Sequence, residues 1–338
     1  MIKIALLGCG RIGRMHAANL ASHPRVELGM VYDLIPEAAE GVGADLGVRV
    51  AGGIDDVLGS PDIDAVLIAT ATPTHADYIE ACVDAGKPAF CEKPIDLDLS
   101  RVNLCAEHIE GKNVPIQIGF NRRFDPGHKS AHEAALSGEI GELHQVVITS
   151  RDPALPPRDY LESAGGLFRD MTIHDFDLAR FMLGSEPTEV VAFGNALIDP
   201  ELGAELDEID TAMILLRSES GAQCHINNSR TAVYGYDQRV ELLGEKGMIV
   251  SGNRKPNEVR KFSADAVEVA PPYFHFFIER YHEAFMAEID AFVDCVSNHT
   301  EPAVGFDDGR RALVLAEAAY KSMTEGRTVR VDEIEPNG

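Results

Sequence analysis

Hydrophobic and polar positions follow two different patterns along the chain, and the pattern changes near residue 120. Before that point, short apolar runs typical of buried strands alternate with segments that have the hydrophobic spacing of a helix. This alternation predicts an α/β fold with a parallel, doubly wound sheet. The predicted strands are IKIALL, VELGMVYD, DAVLIAT (64–70), PAFCEK (88–93) and PIQIGF (115–120), and the predicted helices include 75–86 and 100–112, the latter with Ser100 as N-cap.

After Phe120 the pattern predicts a second, largely antiparallel sheet with helices on one face. A helix near 126–138 leads to ELHQVVITSRD and then to a helix over 165–183. The predicted strands are TEVVAFGNAL, DTAMILLR, AQCHINNSRTA, RVELLG, MIVSGN, NEVRKFS and AVEVA, followed by helices near 277–297 and 307–325 and a short strand around 328–331. A sheet of this size leaves one face to be covered, and a partner subunit is the simplest cover.

Length and charge limit the classes of function. A chain of 338 residues is long for one core, so we expect two domains, residues 1–120 and 121–338. Thirty Lys plus Arg against fifty-five Asp plus Glu give a net charge of −25, which repels nucleic acid and anionic membranes. The expected partners are therefore small molecules or sister subunits.

Cysteine spacing and the amino terminus predict a cytoplasmic protein. The six cysteines form no Cys-x-x-Cys pair and no metal-binding spacing, so we expect reduced core thiols and no metal site. The chain opens directly on MIKIALLGCG, without a basic region followed by a long apolar segment. No run approaches the roughly 18 apolar residues of a membrane span.

The segment Gly8-Cys9-Gly10-Arg11-Ile12-Gly13 predicts a dinucleotide site, because it lies between a predicted strand and a predicted helix. The first glycine permits a tight turn, the second admits the pyrophosphate, and the third allows close helix packing. Asp33, at the end of the second strand, is placed to bind the adenosine ribose. A carboxylate there followed by Leu34 favours NAD over NADP. The alternative is an ordinary tight turn without a nucleotide.

Two further loops follow the carboxyl ends of predicted strands, where doubly wound sheets bind their ligands. One contains Thr72 and His75, and the other contains Glu92 and Lys93. We expect these four residues to face the cofactor or its substrate. His16, His23, His108 and His299 receive no functional assignment.

The predicted helix over 165–183 is apolar except for Asp170, His174 and Asp177, which lie at i, i+4 and i+7. On a continuous helix they would share a stripe roughly 60° wide. Such a stripe could be catalytic, but it could also be a solvated face or a satisfied i, i+4 pair. This segment alone does not decide between them.

Together these segments resemble the Gfo/Idh/MocA family of glucose-fructose oxidoreductase and inositol dehydrogenase. The resemblance rests on the glycine motif, TPTH (72–75), Glu92-Lys93-Pro94 and GGLFRDMTIHDFD, and it extends over nearly the whole chain. It implies an N-terminal Rossmann domain, a C-terminal α/β domain with an open, largely antiparallel sheet, and dimers or tetramers built through that sheet. In several members the bond corresponding to Lys93-Pro94 is cis.

The resemblance implies that Lys93, Asp170 and His174 are the catalytic group. Oxidation of a secondary alcohol needs a base and positive charge near the developing alkoxide. His174 suits the base, Asp170 would orient it, and Lys93 would favour ionisation of the hydroxyl. The resemblance also points to Arg123, Asp177 and a tyrosine, Tyr234 or preferably Tyr236, as substrate contacts, with Arg151 and Asp152 as weaker candidates. Each could instead be an ion-pair or strand residue.

The fuller strings QIGFNRRFDPG, TSRDP and GGLFRDMTIHDFDLARF resemble the inositol 2-dehydrogenase branch of the family. They imply NAD-dependent oxidation of the axial hydroxyl of myo-inositol to 2-keto-myo-inositol. One alternative is a dehydrogenase, with NAD or NADP, of another inositol isomer or an aldose. An alternative from another class is a nucleotide-binding sensor without catalysis, against which the presence of all three catalytic candidates argues.

Overall fold

The computed structural model describes residues 1–334, and the chain forms two compact units. The first unit contains Met1–Asn121 and Glu283–Leu313, and the second contains Arg122–His282 with the residues from Val314 onward. The predicted division into residues 1–120 and 121–338 is linear, whereas the observed units are interleaved. The reason is apolar packing, because Ile289, Phe292 and Val293 belong to the core of the first unit.

The first unit is built on a parallel sheet, as predicted. Within the described residues this sheet has six strands in the order β3-β2-β1-β4-β5-β6. Its elements are β1 (Ile2–Leu7), α1 (Arg11–Ser22), β2 (Val26–Tyr32), α2 (Pro36–Leu46), β3 (Arg49–Val50), α3 (Ile54–Leu58), β4 (Ala65–Ile68), α4 (His75–Asp84), β5 (Ala89–Cys91), α5 (Leu99–Ile109) and β6 (Ile116–Ile118). The strand order reverses between β1 and β4, and doubly wound sheets bind ligands at this point.

The second unit contains a mixed sheet, with seven strands among the described residues in the order β12-β11-β7-β10-β9-β8-β13. All its pairings are antiparallel except that of β10 with β7, which is parallel. Its elements in chain order are α6 (Pro126–Leu136), β7 (Leu143–Arg151), α7 (Arg158–Ala164), α8 (Leu167–Asp170), α9 (Ile173–Leu183), β8 (Pro187–Asn195), α10 (Pro200–Leu206), β9 (Thr211–Ser218), β10 (Gln223–Ser229), β11 (Asp237–Gly244), β12 (Gly247–Ser251) and α11 (Phe277–Arg280). The elements α12 (His282–Asn298), α13 (Phe306–Glu325) and β13 (Val329–Arg330) complete the chain order.

The two faces of this sheet differ in burial. In β9, Ile214 and Leu216 are buried, whereas Met213 and Leu215, which alternate with them, are exposed. This alternation is what a strand produces when one face of its sheet packs on a core.

The structure differs from four predicted elements, namely the start of one helix, two strands and a second helix. The N-cap of α5 is Asp98, not Ser100, because the Asp98 carboxylate accepts a hydrogen bond from the Ser100 amide at 2.8 Å. NEVRKFS and AVEVA form no strands among the described residues and are joined by one bridge, Lys261 to Val269. The single helix predicted over 165–183 is two helices, α8 and α9, with Met171 and Thr172 between them.

The Gly165-Gly166 break before α8 has a steric cause. Gly165 ends α7 in the left-handed conformation, and Gly166 has a φ of +89°. A Cβ atom at Gly166 would lie 2.0 Å from the hydroxyl oxygen of Tyr320. The second glycine therefore lets the start of α8 approach α13 closely.

Among residues 1–334, no helix has the length and apolar character needed to cross a bilayer.

Candidate active site

The three glycines after β1 have different surroundings. Gly8 has a φ of +95°, and a Cβ atom there would lie 2.3 Å from the carbonyl oxygen of Ala69. A Cβ atom at Gly13 would lie 1.9 Å from the carbonyl oxygen of Gly8. At Gly10, by contrast, no atom of the described chain lies within 4 Å of the Cβ position, apart from Gly10 itself and the residues next to it in the chain. Gly8 and Gly13 are thus required by internal packing, whereas the open side of Gly10 is free for a ligand.

The amino terminus of α1 fits an anion. Gly10 is the N-cap of α1, so no side chain caps the helix, and the first turn carries no acidic residue among the described residues. The first amides of a helix and its dipole favour a phosphate. Arg11 and Ile12 supply the first of these amides. Together with the space beside Gly10, this terminus fits the pyrophosphate of a dinucleotide.

Asp33 is joined to the glycine turn. Its carboxylate accepts hydrogen bonds from the amides of Cys9 at 2.6 Å and Ile35 at 2.8 Å. The side chain is therefore oriented before any ligand binds. Because a carboxylate has about four acceptor positions, two remain for the hydroxyls of a ribose.

His75 joins the two loops at the carboxyl ends of β4 and β5. Its Nδ1 lies 2.7 Å from the carbonyl oxygen of Pro94, and its Nε2 lies 3.1 Å from that of Thr70. Burial lowers the pKa of His75. A neutral ring has one N–H and therefore donates to only one of these two carbonyl oxygens. Thr72 begins a 3₁₀ turn in the loop after β4.

Lys93 lies immediately after β5, and the Lys93-Pro94 peptide bond is cis, as the family resemblance implies. The lysine is half-buried, whereas Ile95 two residues later is buried. The side chain of the neighbouring Glu92 makes a hydrogen bond with His16 of α1, whose Nε2 lies 2.7 Å from Glu92 Oε1. This contact attaches the strand end that carries Lys93 to the helix that begins at the glycine turn.

A third residue, Glu288 in α12, completes a buried polar group with His16 and Glu92. One potential ligand atom from each residue lies within 4.8 Å of the others, so the group has the composition of a metal site. A histidine that binds a metal normally donates its second ring N–H to an acceptor. His16 Nδ1 has no hydrogen-bond partner within the described chain. Burial, and then the charge of Glu92, raises the pKa of Glu288 well above its usual value, so this carboxyl group holds a proton more tightly than an exposed one does.

In the second unit, the break between α8 and α9 separates two of the predicted catalytic residues. Asp170 is the last residue of α8, and His174 lies in the first turn of α9. They do not lie on one continuous helix, so the predicted single helix is wrong, and of the three residues only His174 and Asp177 share a helix. Within α9, Asp177 is buried, as is Asp175, which the sequence analysis did not single out.

The carboxylate of Asp170 is held by two donors. The hydroxyl of Tyr160 donates to Oδ1 at 2.7 Å, and Nη1 of Arg230 donates to Oδ2 at 3.0 Å. Arg230 is almost completely buried, with 1% of its side chain exposed. Neither Tyr160 nor Arg230 is among the site residues predicted from the sequence.

Arg123 and Asp177, two predicted substrate contacts, form a bidentate ion pair. Nε and Nη2 of Arg123 donate to the two carboxylate oxygens at 2.8 and 2.5 Å. The guanidinium also lies 5.3 Å from the centre of the Phe181 ring. The ion-pair alternative considered for these residues is thus the observed arrangement, although the pair lies inside the unit and not on its surface.

The two candidate tyrosines differ in environment. Tyr236 is buried with its ring 6.0 Å from that of Tyr281, and burial raises its pKa well above the usual value. Tyr234 is exposed, accepts a hydrogen bond from Arg151 at 2.8 Å and donates one to Asp237 at 2.9 Å. The structure therefore places Tyr234 in a polar surface network and Tyr236 in the interior.

Asp152 is a titratable group at the end of β7. Burial raises its pKa to about 6, with Arg230 opposing the shift and Asp170 adding to it. Its Oδ2 lies 3.8 Å from Nη1 of Arg230. Asp152 and Arg230 come together because β7 and β10 are parallel and pair Arg151 with Ser229 at their carboxyl ends.

A second network missed by the sequence analysis surrounds Asp175. Arg122 forms a buried ion pair with Asp175 and also donates a hydrogen bond to Ser150 at 3.1 Å. Asn228 donates a hydrogen bond to Asp175 at 2.9 Å. Asn228 also accepts a hydrogen bond from Thr172, in the break between α8 and α9, at 2.7 Å. The sequence feature that could have indicated this network is the set of polar residues at the ends of apolar strands. Recognising the network, however, required the strand pairing.

Comparison with known proteins identifies both parts of the chain. Residues 2–120 match the oxidoreductase family described as "NAD-binding Rossmann fold", and residues 133–331 match the "C-terminal alpha/beta domain" of the same family. The chain is 44% identical over 330 residues to the inositol 2-dehydrogenase of Rhizobium meliloti, covering 98% of this chain and 99% of the relative. It is 41% identical over 334 residues to the myo-inositol 2-dehydrogenase of Thermotoga maritima, covering 98% and 99%.

A solved structure of scyllo-inositol dehydrogenase from Lactobacillus casei with bound NAD(H) and scyllo-inositol is also similar. The two structures have a TM-score of 0.90 and a sequence identity of 31%. The match covers 98% of this chain and 99% of the other. Similarity of this extent covers both units of the molecule. The chain therefore belongs to the Gfo/Idh/MocA oxidoreductase family.

Proposed function

We propose that this protein is an NAD-dependent dehydrogenase that oxidises myo-inositol to 2-keto-myo-inositol. The observation that carries the proposal is the 44% identity, across essentially the whole chain, to an inositol 2-dehydrogenase. The glycine turn open at Gly10 and the carboxylate of Asp170 held by Tyr160 and Arg230 support it from the structure.

The residues that would hold NAD are those of the first unit described above. The amides at the start of α1 would bind the pyrophosphate, and Asp33 would accept hydrogen bonds from the adenosine ribose. The negative charge of Asp33 would repel the 2′-phosphate of NADP. When bound, the nicotinamide supplies the hydride acceptor.

The catalytic assignment follows the chemistry of alcohol oxidation. His174 would remove the hydroxyl proton, and Asp170 would stabilise the resulting imidazolium. The ammonium of Lys93 would donate a hydrogen bond to the reacting oxygen and favour its ionisation. Imidazole, carboxylate and ammonium groups commonly serve in these three roles in enzymes.

A polyol must replace the hydrogen bonds that it loses to water. The proposed contacts are Arg123, Asp177 and Tyr236, with Arg151 and Asp152 as secondary candidates. The Arg123–Asp177 pair would be oriented before the substrate binds, because both oxygens of Asp177 already accept hydrogen bonds from Arg123. Such preorganisation reduces the entropic cost of binding.

We further propose a homo-oligomer, a tetramer or dimer, formed through the exposed face of the second sheet. The pairing of β8 with β9 sets Phe193 beside Met213 and Val191 beside Leu215 on this face. Phe193, Met213 and Leu215 are exposed. Adjacent apolar side chains of this size are typical of a protein interface. The proposed location is the cytoplasm, where the six buried, unpaired thiols would remain reduced.

The test is NADH formation from a panel of alcohols that includes myo-inositol, scyllo-inositol and glucose. We expect the highest kcat/KM with myo-inositol and NAD. Replacing Lys93 with Met should reduce kcat at least about 10³-fold while NADH affinity stays nearly unchanged. Turnover of glucose without turnover of myo-inositol would contradict the proposal, and tight NADH binding with no turnover of any alcohol would favour a sensor.

A second candidate is scyllo-inositol, because the similar Lactobacillus casei structure contains that isomer. The product alone does not separate the two candidates, since inversion at one carbon relates the two alcohols and both give the same ketone. Initial rates with each alcohol separate them, as does identification of the alcohol formed when the ketone is reduced with NADH.

A further inference from the structure

We propose that Arg230 is a positioning residue for this reaction: its buried guanidinium holds Asp170 as an ion in one orientation and thereby controls the basicity of His174. The inference rests on the proposed roles of Asp170 and His174. None of the predicted site residues has this role.

The contacts of Arg230 define its geometry. The residue follows β10 directly, and its Nη1 lies 3.0 Å from Asp170 Oδ2 and 3.8 Å from Asp152 Oδ2. The other oxygen of Asp170 accepts the hydrogen bond from Tyr160. Because each oxygen of Asp170 has its own donor, rotation of the carboxylate would break at least one hydrogen bond.

The charges around Arg230 show why the cation is needed. Asp152, Asp170 and Glu208 all interact electrostatically with this single guanidinium. Burial raises the pKa of Asp152 to about 6 and also raises the pKa of Glu208, and in both cases Arg230 opposes the shift. Without the cation, three neighbouring carboxyl groups would repel one another, and some would take up protons.

Stability does not explain this arrangement. Nε and Nη2 of Arg230 have no hydrogen-bond partner within the described chain. A buried cation with unsatisfied donors costs folding free energy, and buried ion pairs are often no more stable than apolar packing. A costly cation beside a carboxylate is instead typical of a functional site.

Removal of the positive charge should shift the pH dependence in a defined direction. A more negative surrounding raises the proton affinity of Asp170 and of His174 alike. Both must be unprotonated for His174 to act as the base, so the acid limb of kcat/KM should move to higher pH. The groups that interact with Asp170 or Arg230 are Tyr160 of α7, Asp152 after β7 and Glu208 before β9, and the Arg169–Glu317 ion pair joins α8 to α13. His174, the proposed base, lies in the first turn of α9.

The experiment compares Arg230→Gln and Arg230→Lys with the wild type. The control is Arg327→Gln, since Arg327 is an exposed arginine of the second unit that pairs with Glu325 and Glu333. We expect Arg230→Gln to lower kcat/KM for myo-inositol about 100-fold at neutral pH and to move the acid limb up by about one pH unit. Arg230→Lys should recover about tenfold of this loss and return the limb towards the wild-type position, and Arg327→Gln should match the wild type.

The outcomes separate this inference from the proposed function. An unshifted acid limb in folded Arg230→Gln, or an Arg230→Lys variant no better than Arg230→Gln, would overturn the role of Arg230. If Arg230→Gln does not fold, Arg230→Lys decides: a kcat reduced about tenfold with KM within about twofold supports positioning, and an unchanged kcat overturns it. Full activity of Asp170→Asn, or a wild type without inositol turnover, would instead overturn the proposed function.

Discussion

Nε2 of His16 lies 2.7 Å from Oε1 of Glu92, and this contact links the helix after the glycine turn to the strand end that carries Lys93. The carboxylate of Glu288 is part of the same buried group, and neither of its oxygens has a hydrogen-bond partner within the described chain. Burial raises the pKa of Glu288 well above its usual value. The group therefore couples stability to pH.

The Glu288→Gln variant should become more stable relative to the wild type as the pH rises. Below about pH 4.5, Glu288 is protonated in both the folded and the unfolded chain. Above that value the unfolded chain releases the proton and the folded chain keeps it. The free energy of unfolding of the wild type therefore falls until the pH passes the folded pKa. Glutamine has nearly the same shape but does not titrate, so the variant does not lose stability in this way.

The measurement is the difference in Tm between Glu288→Gln and wild type from about pH 5 to about pH 9. We expect the difference to grow in favour of the variant by about 3 °C or more. Glu40→Gln, an exposed change on α2, is the control and should show no trend. A difference that does not depend on pH would mean that Glu288 keeps no extra proton.

Two glycine substitutions should separate binding from folding. Gly10 has a φ of −70° and open space at its Cβ position, so Gly10→Ala should fold with an unchanged Tm. Its methyl group would occupy the proposed place of the pyrophosphate, and NAD affinity should fall at least about tenfold. Gly13→Ala should instead destabilise the protein by about 1–3 kcal/mol, because its Cβ atom would meet the Gly8 carbonyl oxygen. Equal NAD affinity in Gly10→Ala and wild type would remove the glycine turn from the cofactor site.

Cofactor preference should depend on Asp33. The double variant Asp33→Ser with Leu34→Arg removes the charge that repels a 2′-phosphate and adds one that attracts it. We expect the ratio of kcat/KM for NADP to that for NAD to rise about 100-fold, or roughly 2.7 kcal/mol. Asp33→Asn is the matched control for the turn, because it keeps an acceptor for the Cys9 amide. An unchanged preference in the double variant would mean that Asp33 serves only to hold the turn.

The exposed face of the second sheet should control assembly. Met213→Glu places a charge beside Phe193 at the centre of the proposed interface. We expect the variant to dissociate to monomers at micromolar concentration, as measured by light scattering after size exclusion, because burial of an unpaired charge is costly. Leu104→Glu, on an exposed position of α5, is the control and should keep the assembly of the wild type. A monomeric wild type would contradict the interface.

Local patterns predicted the first unit better than the second. The alternation of apolar runs and helical segments predicted the parallel sheet, and both family matches confirm the family named from the motifs. Helix α2 was missed, because its three glycine and proline residues weaken the helical signal. The break between α8 and α9 was missed for the opposite reason, since Met171 and Thr172 contain neither glycine nor proline.

The environment of Asp170 could not be predicted from local sequence at all. Asp170 and Arg230 are sixty residues apart, and they meet because the segment after α8 lies against the end of β10, where Thr172 donates a hydrogen bond to Asn228. Pattern analysis identifies strands but not which distant strands become neighbours. For the same reason His16 was left without an assignment, although it lies against Glu92, 76 residues later.

The return of residues 283–313 to the first unit limits how the gene for this chain could be recombined. A fragment that ends at residue 120 would lack Phe292, whose ring lies 5.8 Å from that of Phe90, and would leave part of its interior open to water. Exchange of the nucleotide-binding half between relatives therefore needs crossovers near residues 121, 282 and 313. In a hybrid joined at a single point near residue 121, the core of the first unit would be built from two different proteins.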